Sequence, residues 1–278
     1  MTTVELGTMP ALSSIGAVRA SLRRSRPAEL PDKALVVRDV QATVEHLSAY
    51  DRACGFRLTD QLPATYPHVL AFPLAMALMT DAAFPFPAIG TVHIGNAISQ
   101  TRPILLSETM TLAVSASGLR PHDRGQQFDI VTTATVGGAE VWRDVSTYLR
   151  RSAPTSATAS GSSAAPIGGA LWRVDRSVGT DYAAASGDHN PIHTSRIGAR
   201  AFGFPGPIAH GMWTMARAVS ALEGRLPSAY AVNVAFKRPI RLGSTVAFRA
   251  DATAFGWSLS VTSPKSGEPH LTGTVVGS

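Results

Sequence analysis

The sequence predicts an α+β fold of two equivalent halves, each an antiparallel sheet curled over one long apolar helix. Three observations predict it. The stretch RSAPTSATASGSSAAPIGG, residues 151–169 of 278, is built almost wholly of small, polar and turn-forming residues and reads as a linker between halves of similar size. The halves repeat one another: TRPILLSETMTLAVSAS from Thr101 and KRPIRLGSTVAFRADAT from Lys237 share Arg-Pro-Ile, a leucine, a serine, a threonine and alternating apolar positions. In each half a long apolar segment is followed by segments of period-two alternation, the signature of half-buried strands.

Residues 1–32 form an N-terminal arm. The first repeat, residues 33–150, opens with the alternating strand KALVVRDV and the short helix VEHLSAYDRACG. The long helix HVLAFPLAMALMT and the strands TMTLAVSASG, FDIVTTATV and VWRDVSTYL follow. The second repeat, residues 170–278, runs through ALWRVDRS, then VGTDYAAASGD with a glycine where a helix often ends, then HGMWTMARAVSALEGRL. Its strands are AVNVAFKRPI, STVAFRADA and WSLSVTS. A sheet with one apolar face must cover it, and a helix apolar nearly all round is a suitable cover.

Composition excludes several classes. Hydrophobic residues make up 45% and charged residues 16%, which describes a compact globular protein and excludes a disordered one. The net charge of +6 suits an anionic ligand, such as coenzyme phosphates or an acidic carrier protein, but is too scattered to indicate nucleic-acid binding. A single cysteine, Cys54, rules out an internal disulfide framework and points to a buried thiol in a reducing compartment, the cytoplasm. The apolar run HVLAFPLAMALMT is interrupted by Pro73 and closed by Asp81, so no membrane span is expected. The arginine-rich stretch AVRASLRRSRP in the arm reads as a solvated helix or frayed arm.

The halves differ in one segment. From Gly55 to His68 is 13 positions, from Gly187 to His210 is 23, and the longer segment holds nearly every candidate chemical group. It begins SGDHNPIH, residues 186–193. Asp188 and His193 would point apart on a continuous helix, about 140° around the axis. Pro191 forbids that helix and drives Asn190 toward extended backbone, so the chain bends and the two side chains can converge. A carboxylate and an imidazole facing one small volume can hold a water and move its proton. Burial against Phe202, Phe204 and Met212 would lower the imidazole's proton affinity. Asn190 either fixes one partner or bonds within its own turn.

Further on, IAHGMWTMA places Gly211 at the opening of the long helix. Helix-start N–H groups lack internal partners and favour an anion, and glycine lets a ligand oxygen approach; the competing reading is a packing glycine. The first half has Val69 there, after His68. His189 and His193 have zinc-protease spacing, but Pro191 lies between them and no third ligand is evident nearby, so no metal is expected. No G-x-S-x-G elbow and no glycine-rich nucleotide loop is present, and no cofactor is expected.

The stretch Tyr182-Ala-Ala-Ala-Ser186-Gly187-Asp188-His189-Asn190-Pro191-Ile192-His193, with Ala199 beyond it, closely resembles the hydratase 2 motif of MaoC-like (R)-specific enoyl-CoA hydratases. AHGM at residues 209–212 stands where that family has its second signature. The two-repeat layout resembles the double-hotdog members, particularly the actinobacterial 3-hydroxyacyl-thioester dehydratases. The resemblance implies reversible syn addition of water to a trans-2-enoyl thioester, giving the (R)-3-hydroxyacyl thioester in fatty-acid metabolism. It implies Asp188 and His193 as the catalytic pair, Asn190 in support of their geometry, and the Gly211 N–H as holder of the thioester oxygen. The substrate would be an acyl-CoA or acyl-carrier-protein thioester, with medium or long acyl chains suggested by the apolar run of the first half, and the protein a homodimer. A hotdog thioesterase and a non-catalytic acyl-thioester binding protein are the alternatives.

Overall fold

The computed structural model describes residues 1–12, 26–151 and 169–277. The linker expected over 151–169 lies outside the described residues except at its two ends, as does most of the arginine-rich stretch of the arm.

The strands of both repeats join one sheet of eleven. In the first repeat β2 (Lys33–Gln41), β3 (Thr91–Gln100), β4 (Thr109–His122), β5 (Gly125–Val136) and β6 (Ala139–Arg151) lie in the order β2-β4-β5-β6-β3. In the second, β7 (Ala170–Arg173), β8 (Tyr230–Phe236), β9 (Thr245–Thr253), β10 (Gly256–Thr262) and β11 (Pro269–Gly277) lie in the order β8-β11-β10-β9-β7. Both orders place the first, third, fourth, fifth and second strand of their repeat side by side. The repeats meet where β3 pairs antiparallel with β8, from Gly95 opposite Ala235 to Gln100 opposite Tyr230. Ala97 and Asn233, equated by the Arg-Pro-Ile repeat, stand directly opposite one another, so the pseudo-twofold axis of the molecule passes between them. This is the double hotdog.

Two strands were not foreseen. β3, TVHIGNAISQ, and β11, PHLTGTVVG, carry internal glycines and polar residues that break the alternation. The arm contributes a further unforeseen strand, β1 (Thr2–Glu5), which pairs parallel with β2.

Among the described residues the helices are α1 (Val44–Cys54), α2 (Tyr66–Thr80), α3 (Val178–Ser186), α4 (Pro191–Thr194), α5 (Arg196–Ala201) and α6 (Gly211–Ser220). α2 runs through Pro73 and packs on β2, β4 and β5, burying Leu74 and Leu78 completely. α6 buries all its residues but Gly211 and Arg217 and stops at Ser220, short of the helix expected to Leu226. Indole and hydroxyl groups tie α6 to α1: Trp213 Nε1 donates to the Ala53 carbonyl at 2.8 Å and Ser220 Oγ to that of Cys54 at 3.0 Å. Cys54 is fully buried, and burial pushes its thiol well above its ordinary range. Among the described residues no helix is long and apolar enough to cross a membrane.

Asp51, on α1, is 2% exposed, and neither of its carboxylate oxygens has a hydrogen-bond partner among the described residues. Burial, with Glu223 adding to it, pushes its carboxyl up to about 7. The folded chain then keeps a proton that the unfolded chain releases between pH 3.8 and about 7, so stability declines as pH rises through that window. Asp51→Asn should therefore raise the melting temperature at pH 8 and lose that advantage toward pH 5; an equal gain at both pH values would refute the assignment.

Candidate active site

α3 ends at Gly187, whose left-handed backbone (φ 74°) turns the chain out of the helix. Asn190, with φ −54° and ψ 124°, caps α4, and Pro191 occupies the first helical turn where its missing N–H is not needed. The proline-kinked bend anticipated from the sequence is thus present. α4 is held close to α3 because Gly179 has no side chain: a Cβ there would collide with the His193 carbonyl and the Leu242 side chain.

His193 is buried, and its Nδ1–H donates to the Ile208 carbonyl at 2.8 Å. That bond leaves the Nε2 lone pair free. Ile208 is itself pinned: its N–H donates to Ile192 O at 3.1 Å, while the neighbouring Ala209 N–H donates to Ile240 O at 2.8 Å. Burial lowers the imidazole's proton affinity, opposed by the Asp188 charge and the Ile208 bond. Asp188 opens partly to solvent, its side chain 31% exposed, and accepts from the Asn190 N–H at 3.2 Å.

A third group, not foreseen, completes the cluster. His210 caps α6 and is 2% exposed; its ring stacks on His193 with centroids 3.7 Å apart, and on the other side it meets Tyr182 at 4.9 Å. Its Nε2–H donates to the Asp188 carbonyl at 3.0 Å, with Asp188 Oδ2 at 3.8 Å. Burial, reinforced by His193, holds its pKa down to about 4, so it is a neutral donor. One ligand-type atom from each of Asp188, His193 and His210 lie within 4.8 Å of one another. That separation lets a single water, at about 2.8 Å from each, bridge any two of them. The same trio could also hold a metal ion; His210, seventeen residues beyond His193, is the third donor that the sequence search near the loop did not find. The signal was the histidine of AHGM.

Gly211 is the first residue of α6, and its N–H has no hydrogen-bond partner among the described residues. The ring of Phe236 stands over it: a Cβ on Gly211 would lie 3.2–3.3 Å from three ring atoms. The structure thus brings Asp188 and His193 together with His210, the residue that precedes the Gly211 helix start. Asn190 takes the turn role: its Oδ1 accepts from Ile192 N–H at 3.3 Å, and its backbone N–H donates to Asp188. One expectation needs correction. Phe202 does not bury the site, being 46% exposed, because the chain turns outward after α5. The apolar run of the first repeat is core, with Leu74, Leu78 and Phe84 fully buried. His189 is exposed.

Fold and cluster together define a double hotdog whose second repeat carries a partly buried carboxylate–imidazole cluster. Residues 173–259 match the MaoC like domain. Over 257 residues, 91% of this chain and 92% of its relative, the chain is 37% identical to 3-hydroxyacyl-thioester dehydratase X of Mycobacterium tuberculosis. The crystal structure of that organism's HtdX superposes with a TM-score of 0.79 over 88% of this chain and all of that one, at 37% identity. A MaoC-like dehydratase from Phytophthora capsici, 18% identical, shares the fold with a TM-score of 0.72 over 88% of this chain and 95% of its own. The chain belongs to the MaoC-like dehydratase family.

Gly179→Ala should destabilise the protein by about 1–3 kcal/mol through overpacking, more than Gly211→Ala, whose added methyl meets only a ring edge that can shift. Thermal melts of both variants check this; equal melting temperatures would show that α4 is not held against α3 as described.

Proposed function

We propose that the protein catalyses the reversible hydration of trans-2-enoyl thioesters to (R)-3-hydroxyacyl thioesters. The observation that carries this reading is the convergence of Asp188 and His193, whose Nε2 is free, on His210, the residue before the unpartnered N–H of Gly211. The thioester oxygen accepts from the Gly211 N–H, so that negative charge developing on it during attack is met by a helix start. A water bridges Asp188 and His193 Nε2. Asp188 accepts one O–H and orients the oxygen toward C3, while His193 Nε2 takes the other proton as the C–O bond forms. The same imidazolium returns that proton to C2 on the same face, which gives syn addition and leaves the enzyme unchanged. Dehydration is the reverse. Asn190 supports the geometry through its backbone and its cap on α4, and no cofactor or metal enters these steps.

His210 acts as a fixed neutral wall. Its single donated bond holds the Asp188 backbone, and its stacking keeps the His193 ring from rotating. The second repeat, residues 170–278, carries the chemistry, and the first, residues 33–150, lacks the motif. Acyl-CoA and acyl-carrier-protein thioesters are the substrates of this reading, and a cytoplasmic homodimer the form. Lys237 is exposed and stands ready for an anionic carrier, whereas Arg238 is paired with Glu268 at 2.7 Å.

Asp188→Asn and His193→Ala should each lower kcat for enoyl-CoA hydration by a hundredfold or more, as loss of a positioned acid–base group does, with melting temperatures near that of the wild type. Loss of enoyl-thioester absorbance measures it; wild-type rates in both variants would sink the assignment, and release of free thiol would indicate hydrolysis. Because His193 must be unprotonated to take the water's proton and its pKa is lowered, activity should hold through neutral pH and fall only below pH 6.5. A kcat/KM profile already declining from pH 8 to 7 would contradict that.

A further inference from the structure

The first repeat lacks the catalytic motif but holds a buried polar cluster of its own. His68, at the start of α2, donates from Nδ1 to Asp144 Oδ2 at 2.5 Å. Asp144, on β6, is completely buried; its Oδ1 accepts from Asn96 Nδ2 at 2.6 Å, and Ser146 Oγ lies within 3.4 Å of both oxygens. Asn96 also reaches Ser146 Oγ at 3.0 Å. Such a network is rarely more stable than an apolar filling of the same volume, and the molecule contains the control. The Arg-Pro-Ile repeat equates Asn96 with Val232, and the strand registers then equate Asp144 with Gly273 and Ser146 with Val275. The second repeat therefore folds with apolar or absent side chains at all three places. Its own helix-start histidine, His210, has no carboxylate there, and its Nδ1 is buried without a partner.

The cluster has vacant hydrogen-bonding positions. Asn96 Oδ1 and His93 Nε2 are buried and unpartnered, and Asn96 is 2% exposed. His68 Nε2 has no partner among the described residues, yet the side chain retains 12% exposure, so it can be reached. The cluster also adjoins the catalytic chamber. His93 stacks with His68 at 6.3 Å and Tyr148 at 4.7 Å, and meets edge-on at 5.0 Å the Phe236 ring that covers Gly211. Tyr148 lies two residues along β6 from Ser146, and the His93 ring stacked on it also meets Phe236, so packed rings connect the two polar centres.

We propose that His68, held by Asp144 and flanked by Asn96 and His93, is a recognition site in the first repeat for a hydroxyl or oxo group on the substrate's acyl chain. The proposal rests on the thioester reading above and names its substrate class: enoyl thioesters with a second oxygen function beyond the double bond. With both ring nitrogens carrying hydrogen and the ring paired to the Asp144 carboxylate, His68 Nε2–H donates to that oxygen, and the vacant Asn96 Oδ1 accepts from it when it is a hydroxyl. An unsubstituted chain leaves these polar atoms facing hydrocarbon, which is the penalty that gives polar sites their selectivity.

The experiment compares oct-2-enoyl-CoA with its terminal hydroxyl and penultimate oxo derivatives on the purified full-length protein. The wild type should favour at least one oxygenated substrate about tenfold in kcat/KM, the size of one buried hydrogen bond made or left unmade. Preference for the hydroxyl alone assigns the contact to Asn96 Oδ1, and preference for both assigns it to His68. His68→Asn keeps an amide donor for Asp144 but removes the outer nitrogen, and should bring the ratio near one; His68→Gln restores an outer nitrogen and should recover part of it. Melting temperatures exclude misfolding as the cause. A wild type that favours the plain chain, or a His68→Asn variant that keeps the oxygenated preference, overturns the proposal. If no thioester is turned over, the catalytic reading fails separately, and calorimetric binding of octanoyl-CoA against its terminal hydroxyl derivative still decides: equal affinity overturns the site.

Discussion

The hydrogen bond from His193 Nδ1 to the Ile208 carbonyl, 2.8 Å long, is the constraint on which the site depends. It joins a four-residue helix to the segment that enters α6, and so fixes two things at once. It selects the imidazole tautomer whose Nε2 is a base. It also sets the distance between that base and the start of α6, because Ile208 is only three residues from Gly211. Neither α4 nor the 207–210 segment is long enough to define its own position. Backbone bonds from Ile208 to Ile192 and from Ala209 to Ile240 supply the rest of the frame.

The chemistry follows from what this frame buries. Two stacked imidazoles, His193 and His210, are kept from protonating by burial, and the second is further disfavoured by the first. Asp188 stays partly exposed and can accept from water. In the proposed reaction the centre combines a dry base, a wet acceptor and a helix start without a hydrogen-bond acceptor of its own. Each comes from a different stretch of the second repeat, and the first repeat closes the far wall through β3 pairing with β8.

Much of the architecture was legible because both repeats write it in alternating strands and long apolar helices, and the Arg-Pro-Ile repeat marks the equivalence. β3 and β11 were missed because Gly95, Asn96 and Gly273 interrupt the alternation: β3 pairs across the pseudo-twofold axis and serves a polar cluster, and β11 runs so close to the Asn233 carbonyl that Gly273 has no room for a Cβ. The convergence of Asp188 and His193 was legible because local backbone chemistry, a proline and an asparagine cap, bends the chain between them. His210 was quoted within its motif, but its stacking on His193 is a tertiary contact that spacing does not reveal. The pairing of His68 with Asp144 spans 76 residues and two elements, beyond the reach of any motif. The turn role of Asn190, one of the two its sequence allows, follows from its place before Pro191, where it caps α4.

The most direct test is the protonation state of His193 itself. Nitrogen NMR of the histidine-labelled protein at neutral pH should show a neutral His193 ring protonated at Nδ1, with Nε2 unprotonated and a pKa below 6.5. A ring protonated at Nε2, or charged at neutral pH, would leave no base facing Asp188 and would contradict the account.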